Sequence, residues 1–112
     1  MKVLITGAAG RIGGLLAERL PDLGWDVTGC DITSDWAHGD ITDLAGMETL
    51  CAGQQVVMHL AGAPNAKRGW RHVSRLNIEG TRCVLEASLR AGVRRVVYAS
   101  SIHVVGGLPW GT

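Results

Sequence analysis

The chain predicts an α/β fold, a parallel β-sheet with helices packed against it, and three observations carry that reading. Short apolar runs rich in β-branched residues alternate with longer stretches of helical period. One of these runs, Val56 to Leu60, is almost continuously apolar, as a strand covered on both faces should be. The element order β-α-β-β-α-β-α-β calls for parallel strands joined by right-handed crossovers, with strands 3-2-1-4-5 lying side by side.

The elements follow in order. Val3 to Thr6 reads as a buried first strand, and Gly10 to Leu20 as a helix stopped by Pro21 and Gly24. Trp25 to Cys30 is the second strand and ends at Asp31. Trp36 to Asp40 is the weakest strand candidate, because its composition argues poorly for one. Asp43 caps a short helix running to about Ala52, with Gly53 as its stop. Val56 to Leu60 is the fourth strand. Arg71 to Ala91 is the clearest helix: Val73, Leu76, Gly80, Val84, Ala87 and Ala91 share one face. Arg71, Arg75, Glu79, Arg82, Glu86 and Arg90 share the other, which reads as a charged, solvated surface. Gly92 ends it, and Arg95 to Ala99 is the fifth strand.

Composition narrows function mainly by exclusion. The 112 residues are 46% hydrophobic and 19% charged, as expected of one ordinary globular domain. A formal net charge of +1 gives no electrostatic argument for nucleic acid or an anionic membrane. The first apolar run breaks at Gly7, too early for a signal-peptide core or a membrane span, so a cytoplasmic location is expected. Cys30, Cys51 and Cys83 have no Cys-x-x-Cys spacing and sit in apolar stretches, which predicts buried free thiols. His38, His59 and His72 lack ligand spacing with each other or with the cysteines, so no metal is expected.

In a sheet of this order, ligands bind at the carboxyl ends of the strands where the order reverses, between strands 1 and 4. The first strand runs into Thr6-Gly7-Ala8-Ala9-Gly10-Arg11-Ile12-Gly13. Gly7 would allow the tight turn, Gly10 the close approach of backbone to a pyrophosphate, and Gly13 close packing of the helix. The helix start would present free amides and a positive dipole end to the phosphates. A glycine-rich chain shows glycines three apart by chance; the position between strand and helix gives this string its weight. No Gly-Lys-Ser/Thr follows, which excludes a P-loop. Asp31, at the end of the second strand, is where a carboxylate accepts hydrogen bonds from the adenosine-ribose hydroxyls and repels a 2′-phosphate. No Arg follows in Ile32-Thr33-Ser34, so NAD is favoured over NADP. The alternative reading of an Asp at a strand end is a turn cap.

The Thr-Gly-x-x-Gly-x-x-Gly string resembles the short-chain dehydrogenase/reductase family, and three more loops are similar to its extended branch, the NAD-dependent epimerases and dehydratases. The resemblance implies a Rossmann-type sheet with NAD on Gly7, Ala9, Gly10, Arg11, Ile12, Gly13 and Asp31. Gly39-Asp40-Ile41-Thr42-Asp43 looks like the acidic turn in which Asp40 and Ile41 flank the adenine. His59-Leu60-Ala61-Gly62 resembles the turn after the fourth strand, implying that Leu60, Ala61, Gly62 and Ala63 lie along the cofactor. Asn77-Ile78-Glu79-Gly80-Thr81 is similar to the branch's Asn-x-x-Gly-Thr signature and adds Asn77, which could instead bond a nearby backbone carbonyl. Ala99-Ser100-Ser101 and the residues to Gly106 resemble the stretch that carries the catalytic Ser. By that likeness Ser101 is the catalytic Ser, with Ala99 and Ser100 in the cofactor set. The Ala-Ser-Ser-x-His string is most similar to uronate dehydrogenases. His103 could then contact substrate, or be structural.

The family's chemistry needs a Tyr and a Lys four residues later, because an unperturbed phenol serves general acid/base catalysis poorly near neutral pH. Tyr98 is the only Tyr, Ile102 stands four residues after it, and the only lysines are Lys2 and Lys67. Residues 1–112 therefore read as an incomplete dinucleotide-binding domain lacking its catalytic and substrate part, with a sugar or sugar-nucleotide substrate once completed. Little activity is expected from it alone. A non-catalytic NAD-binding or sensing module, or a fragment that needs a C-terminal partner, are the competing readings. The helix at 71–91 lies where family members often dimerise, which leaves a homodimer open.

Overall fold

The computed structural model describes residues 1–33, 35–63 and 67–100. Five parallel strands form one sheet in the order β3-β2-β1-β4-β5, as expected. They are β1 (Lys2–Thr6), β2 (Asp26–Asp31), β3 (Ala37–His38), β4 (Val56–His59) and β5 (Arg95–Tyr98). The period of two along β1 builds two cores at once. Val3 and Ile5 pack with Leu20 and Val56 on one side of the sheet, against α1 (Arg11–Arg19). Leu4 and Val57 pack with Met47, Cys51, Val84 and Ala87 on the other, against α2 (Leu44–Cys51) and α4 (Thr81–Arg90). Strands covered on both faces explain why their sequences read as continuous apolar runs.

The local signals act as expected in most places. Asp43 caps α2 by accepting the Gly46 amide at 3.2 Å, and Gly53 and Gly92 take positive φ after their helices. Pro21 follows the end of the first α-helix, which stops at Arg19 with Leu20 as its C-cap. Having no N–H to place, it enters a 3₁₀ turn at Leu20–Leu23, and the chain turns at Gly24, φ 85°. The third strand is only two exposed residues, Ala37 and His38, paired to Cys30 and Asp31.

The rod predicted over 71–91 is helical throughout but not uniform. An α-turn, α3 (Trp70–Val73), passes into a π segment at Ser74–Gly80 and then into α4. Its outer face is not wholly charged either. Ile78, Leu85 and Leu89 lie exposed among the charges, with Leu89 at 77% exposure. Two of the charges reach beyond their own helix: Arg90 bonds Glu48 of α2 at 2.7 Å, and Arg75 reaches the loop after β3. Among the described residues no helix is long and apolar enough to cross a membrane.

Candidate functional site

The sheet order reverses between β1 and β4, and the loops leaving β1, β2, β3 and β4 enclose a cleft of about 200 Å³ there. Gly7, Gly10, Asp31, Asp40, Ile41, Leu60, Ala61 and Gly62 line it, so eight of the residues singled out from the sequence converge on one space. Ile32, Gly39 and Leu76 also line it. Ile32 could have been found, since a bulky apolar residue directly after a strand-end Asp, 68% exposed, has no core to enter.

Each glycine of the first loop has its own steric cause. Gly7 has φ +75°, and a Cβ there would stand 2.8 Å from the Ala61 amide nitrogen. Gly7 therefore permits both the turn and the close approach of the β1 and β4 loops. At Gly13 a Cβ would overlap the Gly7 carbonyl, so the third glycine lets α1 sit on the loop itself. Gly10 is the N-cap of α1 and contributes no side-chain cap, which leaves the first turn, from Arg11 and Ile12, open to an anion. Ile12 is 61% exposed at that helix start.

Asp31 is already engaged with the loops. Its Oδ2 accepts the Ala9 amide at 3.0 Å and its Oδ1 accepts the Ile32 amide at 2.8 Å. An ionised carboxylate has about four acceptor positions, so two remain. Across the cleft, Asp40 Oδ1 accepts both the Thr42 amide at 2.9 Å and the Thr42 hydroxyl at 2.6 Å. Those bonds, with Arg75 3.8 Å from Oδ2, hold the Asp40 carboxyl below the usual carboxylate range.

Asn77 sits in the π segment and grips one residue. Its Oδ1 accepts the Ala63 amide at 2.7 Å and its Nδ2 donates to the Ala63 carbonyl at 3.2 Å. A Cβ at Gly62 would be 2.7 Å from that Oδ1, so Gly62 is small because Asn77 needs the space. Gly80 admits Ile41 against the helix in the same way, its missing Cβ lying 2.5 Å from Ile41 Cδ1.

Ala9, Arg11, Ile12, Gly13, Ala63 and Asn77 stand behind or beside the cleft without lining it. Ala99 and Ser100 are exposed at the end of β5, where the Ala99 amide bonds the His59 carbonyl at 3.3 Å. Ser101 and His103 lie outside the described residues. No group of three or more His, Cys, Asp or Glu able to hold a metal occurs among the described residues.

The sequence reading passed over a buried polar chain behind the cleft. His59 Nδ1 lies 2.7 Å from Thr6 Oγ1, and its Nε2 lies 3.0 Å from Thr81 Oγ1. Tyr98 stacks on the ring, centroids 5.7 Å apart. Burial pushes the His59 pKa down to about 4. The signal was present: each of these three polar residues begins or ends one of the glycine-bearing motifs.

The profile of the NAD dependent epimerase/dehydratase family matches residues 3–110. The chain belongs to that family. Among curated relatives it is 33% identical to an NAD-dependent glucose-6-phosphate dehydrogenase of Haloferax volcanii, over 93% of this chain and 44% of that protein. It is 31% identical to a uronate dehydrogenase of Pseudomonas putida, over 94% and 42%. A solved short-chain dehydrogenase/reductase superfamily protein from Agrobacterium tumefaciens with bound NAD superposes with TM-score 0.81 at 33% identity, covering 90% of this chain and 33% of that one. The chain thus spans less than half the length of these family members.

Proposed function

We propose that this member of the epimerase/dehydratase family binds NAD in the β1–β4 cleft, as the nucleotide-binding part of an enzyme acting at a sugar hydroxyl or carbonyl. The observation that carries the proposal is the glycine loop. Gly7 and Gly10 keep side chains out of the cleft, and the uncapped start of α1 opens at the same loop. That is a cradle for a pyrophosphate.

The adenosine end would lie between Asp31 with Ile32 and Asp40 with Ile41. The two free acceptor positions of Asp31 would take the ribose hydroxyls, and its charge would exclude a 2′-phosphate. Ile32, apolar and exposed where it lines the cleft, would be covered on binding. Leu60, Ala61, Gly62 and Ala63 would flank the far ribose, with Ala99 and Ser100 beyond them and Ser101 orienting the substrate oxygen. NAD, when bound, supplies the hydride acceptor.

The general acid and base are residues this chain does not contain: its one Tyr is stacked on His59, and no Tyr-x-x-x-Lys occurs. Hydride transfer is therefore proposed for the completed enzyme, with turnover by these residues alone near zero. The dehydrogenase relatives acting on a sugar phosphate and on uronate support a sugar or sugar-acid substrate.

NMR titration with NAD⁺ tests the binding. Saturable shifts of the Gly7, Gly10, Ile32 and Ala61 amides are expected. A folded chain whose shifts are absent, or centred elsewhere, counts against the proposal.

A further inference from the structure

The polar chain behind the cleft has only one consistent arrangement of hydrogens. Thr6 and His59 are 0% and 1% exposed, so no solvent partner enters the count. Thr6 Oγ1 accepts the Leu60 amide at 3.1 Å and the Ala61 amide at 3.2 Å, the Leu60 N–H being shared with the Thr6 carbonyl. A hydroxyl has two lone pairs and one hydrogen. With both lone pairs facing amide hydrogens, Thr6 has only its own hydrogen to offer the ring. His59 Nδ1 is then the acceptor, and the ring proton is on Nε2, donated to Thr81 Oγ1 at 3.0 Å. A proton on Nδ1 would put three hydrogens on one oxygen and strand the Thr6 hydrogen in the core without an acceptor.

The partners belong to separate elements. Thr6 ends β1, His59 ends β4, and Thr81 opens α4. The two amides held by Thr6 are those of the cleft wall. We propose that His59 is a positioning residue: as the neutral Nε2–H tautomer it orients the Thr6 hydroxyl, and so fixes the Leu60–Ala61 backbone of the cleft wall relative to α4. Its effect on cofactor affinity rests on the proposed function above; the tautomer and the fixing of the wall do not.

The test combines three readouts on the whole chain. Nitrogen-15 NMR of the wild type at pH 7 is expected to show His59 protonated at Nε2 and bare at Nδ1; a proton on Nδ1, or on both nitrogens, overturns the proposal without any variant having to fold. In His59→Leu, amide exchange at Leu60 and Ala61 is expected to speed up and NADH affinity to fall about five- to tenfold, the equivalent of one hydrogen bond. His59→Asn, whose Oδ1 can accept from Thr6, is expected to recover most of the protection. A folded His59→Leu with wild-type exchange at both amides, or no recovery in His59→Asn, contradicts it. A merely structural histidine would lower the melting temperature and leave the tautomer and the relative exchange of these two amides unaddressed by Asn. A folded wild type that ignores NADH sinks the cofactor reading instead, and the exchange result still decides this one.

Discussion

Asp31 Oδ2 accepts the amide hydrogen of Ala9 at 3.0 Å, tying the end of β2 to the glycine loop 22 residues earlier. The carboxylate proposed to read the ribose thus also sets the loop proposed to hold the phosphates. Asp31→Ala is expected to weaken NADH binding by about tenfold or more, since bonds to a charged group are each worth about 1.5–3 kcal/mol. Its preference for NADH over NADPH should shrink as the repelling charge goes. Calorimetry with both nucleotides checks this, and an unchanged preference would remove Asp31 from the site.

Gly7 and Gly53 share a backbone conformation, φ +75° and +77°, in different surroundings. Nothing lies within 4 Å of a Cβ at Gly53, whereas at Gly7 the Ala61 backbone is 2.8 Å away. Gly53→Ala should cost about 1–2 kcal/mol, the strain of a left-handed residue. Gly7→Ala adds an overlap with backbone, and roughly 3 kcal/mol or more is expected. Urea denaturation of the pair separates strain from contact; equal losses would mean that the β1 and β4 loops do not meet as described.

His59 makes stability depend on mild acid. Its pKa is lowered from 6.5 to about 4 by burial. Between those values the unfolded chain binds a proton that the folded chain refuses, so stability rises with pH across that window. The contribution is fully present above about pH 6.5 and lost as pH falls to about 4, amounting to up to about 3 kcal/mol. Asp40 acts lower: its depressed pKa contributes stability above the ordinary value of 3.8 that is lost as pH falls through its folded value. Thermal melts from pH 4 to 7 should show a slope that His59→Asn removes and Asp40→Asn leaves.

The cysteines should label in order of burial. Cys30 and Cys51 are buried, and Cys83 is half-buried on the rod. Burial pushes the Cys30 thiol up to about 12 and raises that of Cys51. Since the thiolate is the reactive form, Cys83 is expected to be alkylated first at pH 8, with Cys30 and Cys51 reacting only as the chain unfolds. Mass spectrometry of a labelling time course checks the order.

Much of this architecture could be read from residues in line. The apolar run of β4, the Asp43 cap and the turn glycines each act over a few positions, where sequence is local structure. β3 could not be read so well, because Ala37 and His38 are exposed and defined by pairing to β2. The π segment was hidden for a related reason. Leu76, Gly80, Val84, Ala87 and Ala91 keep a spacing that an unbroken α-helix also satisfies.

At the site, the residues that face the cleft came from motif positions, while those that hold them came from contacts across the fold. Gly62 is small for Asn77, and Gly80 for Ile41. His59, read from the sequence as a motif residue and weighed as a metal ligand, bridges Thr6 and Thr81 over sequence separations of 53 and 22 residues. The motif ends single out the three residues, and the pairing of Thr6 with His59 in the β1–β4 register brings the first two together.

The central claim is that the β1–β4 cleft is an NAD site, and a titration of NADH and NADPH into the folded chain tests it most directly. Energy transfer from the four tryptophans to bound nicotinamide reports saturation, and circular dichroism establishes folding. The account predicts saturable NADH binding, weaker NADPH binding, and loss of that preference in Asp31→Ala. A folded chain that binds neither nucleotide, or binds NADPH the more tightly, would contradict it.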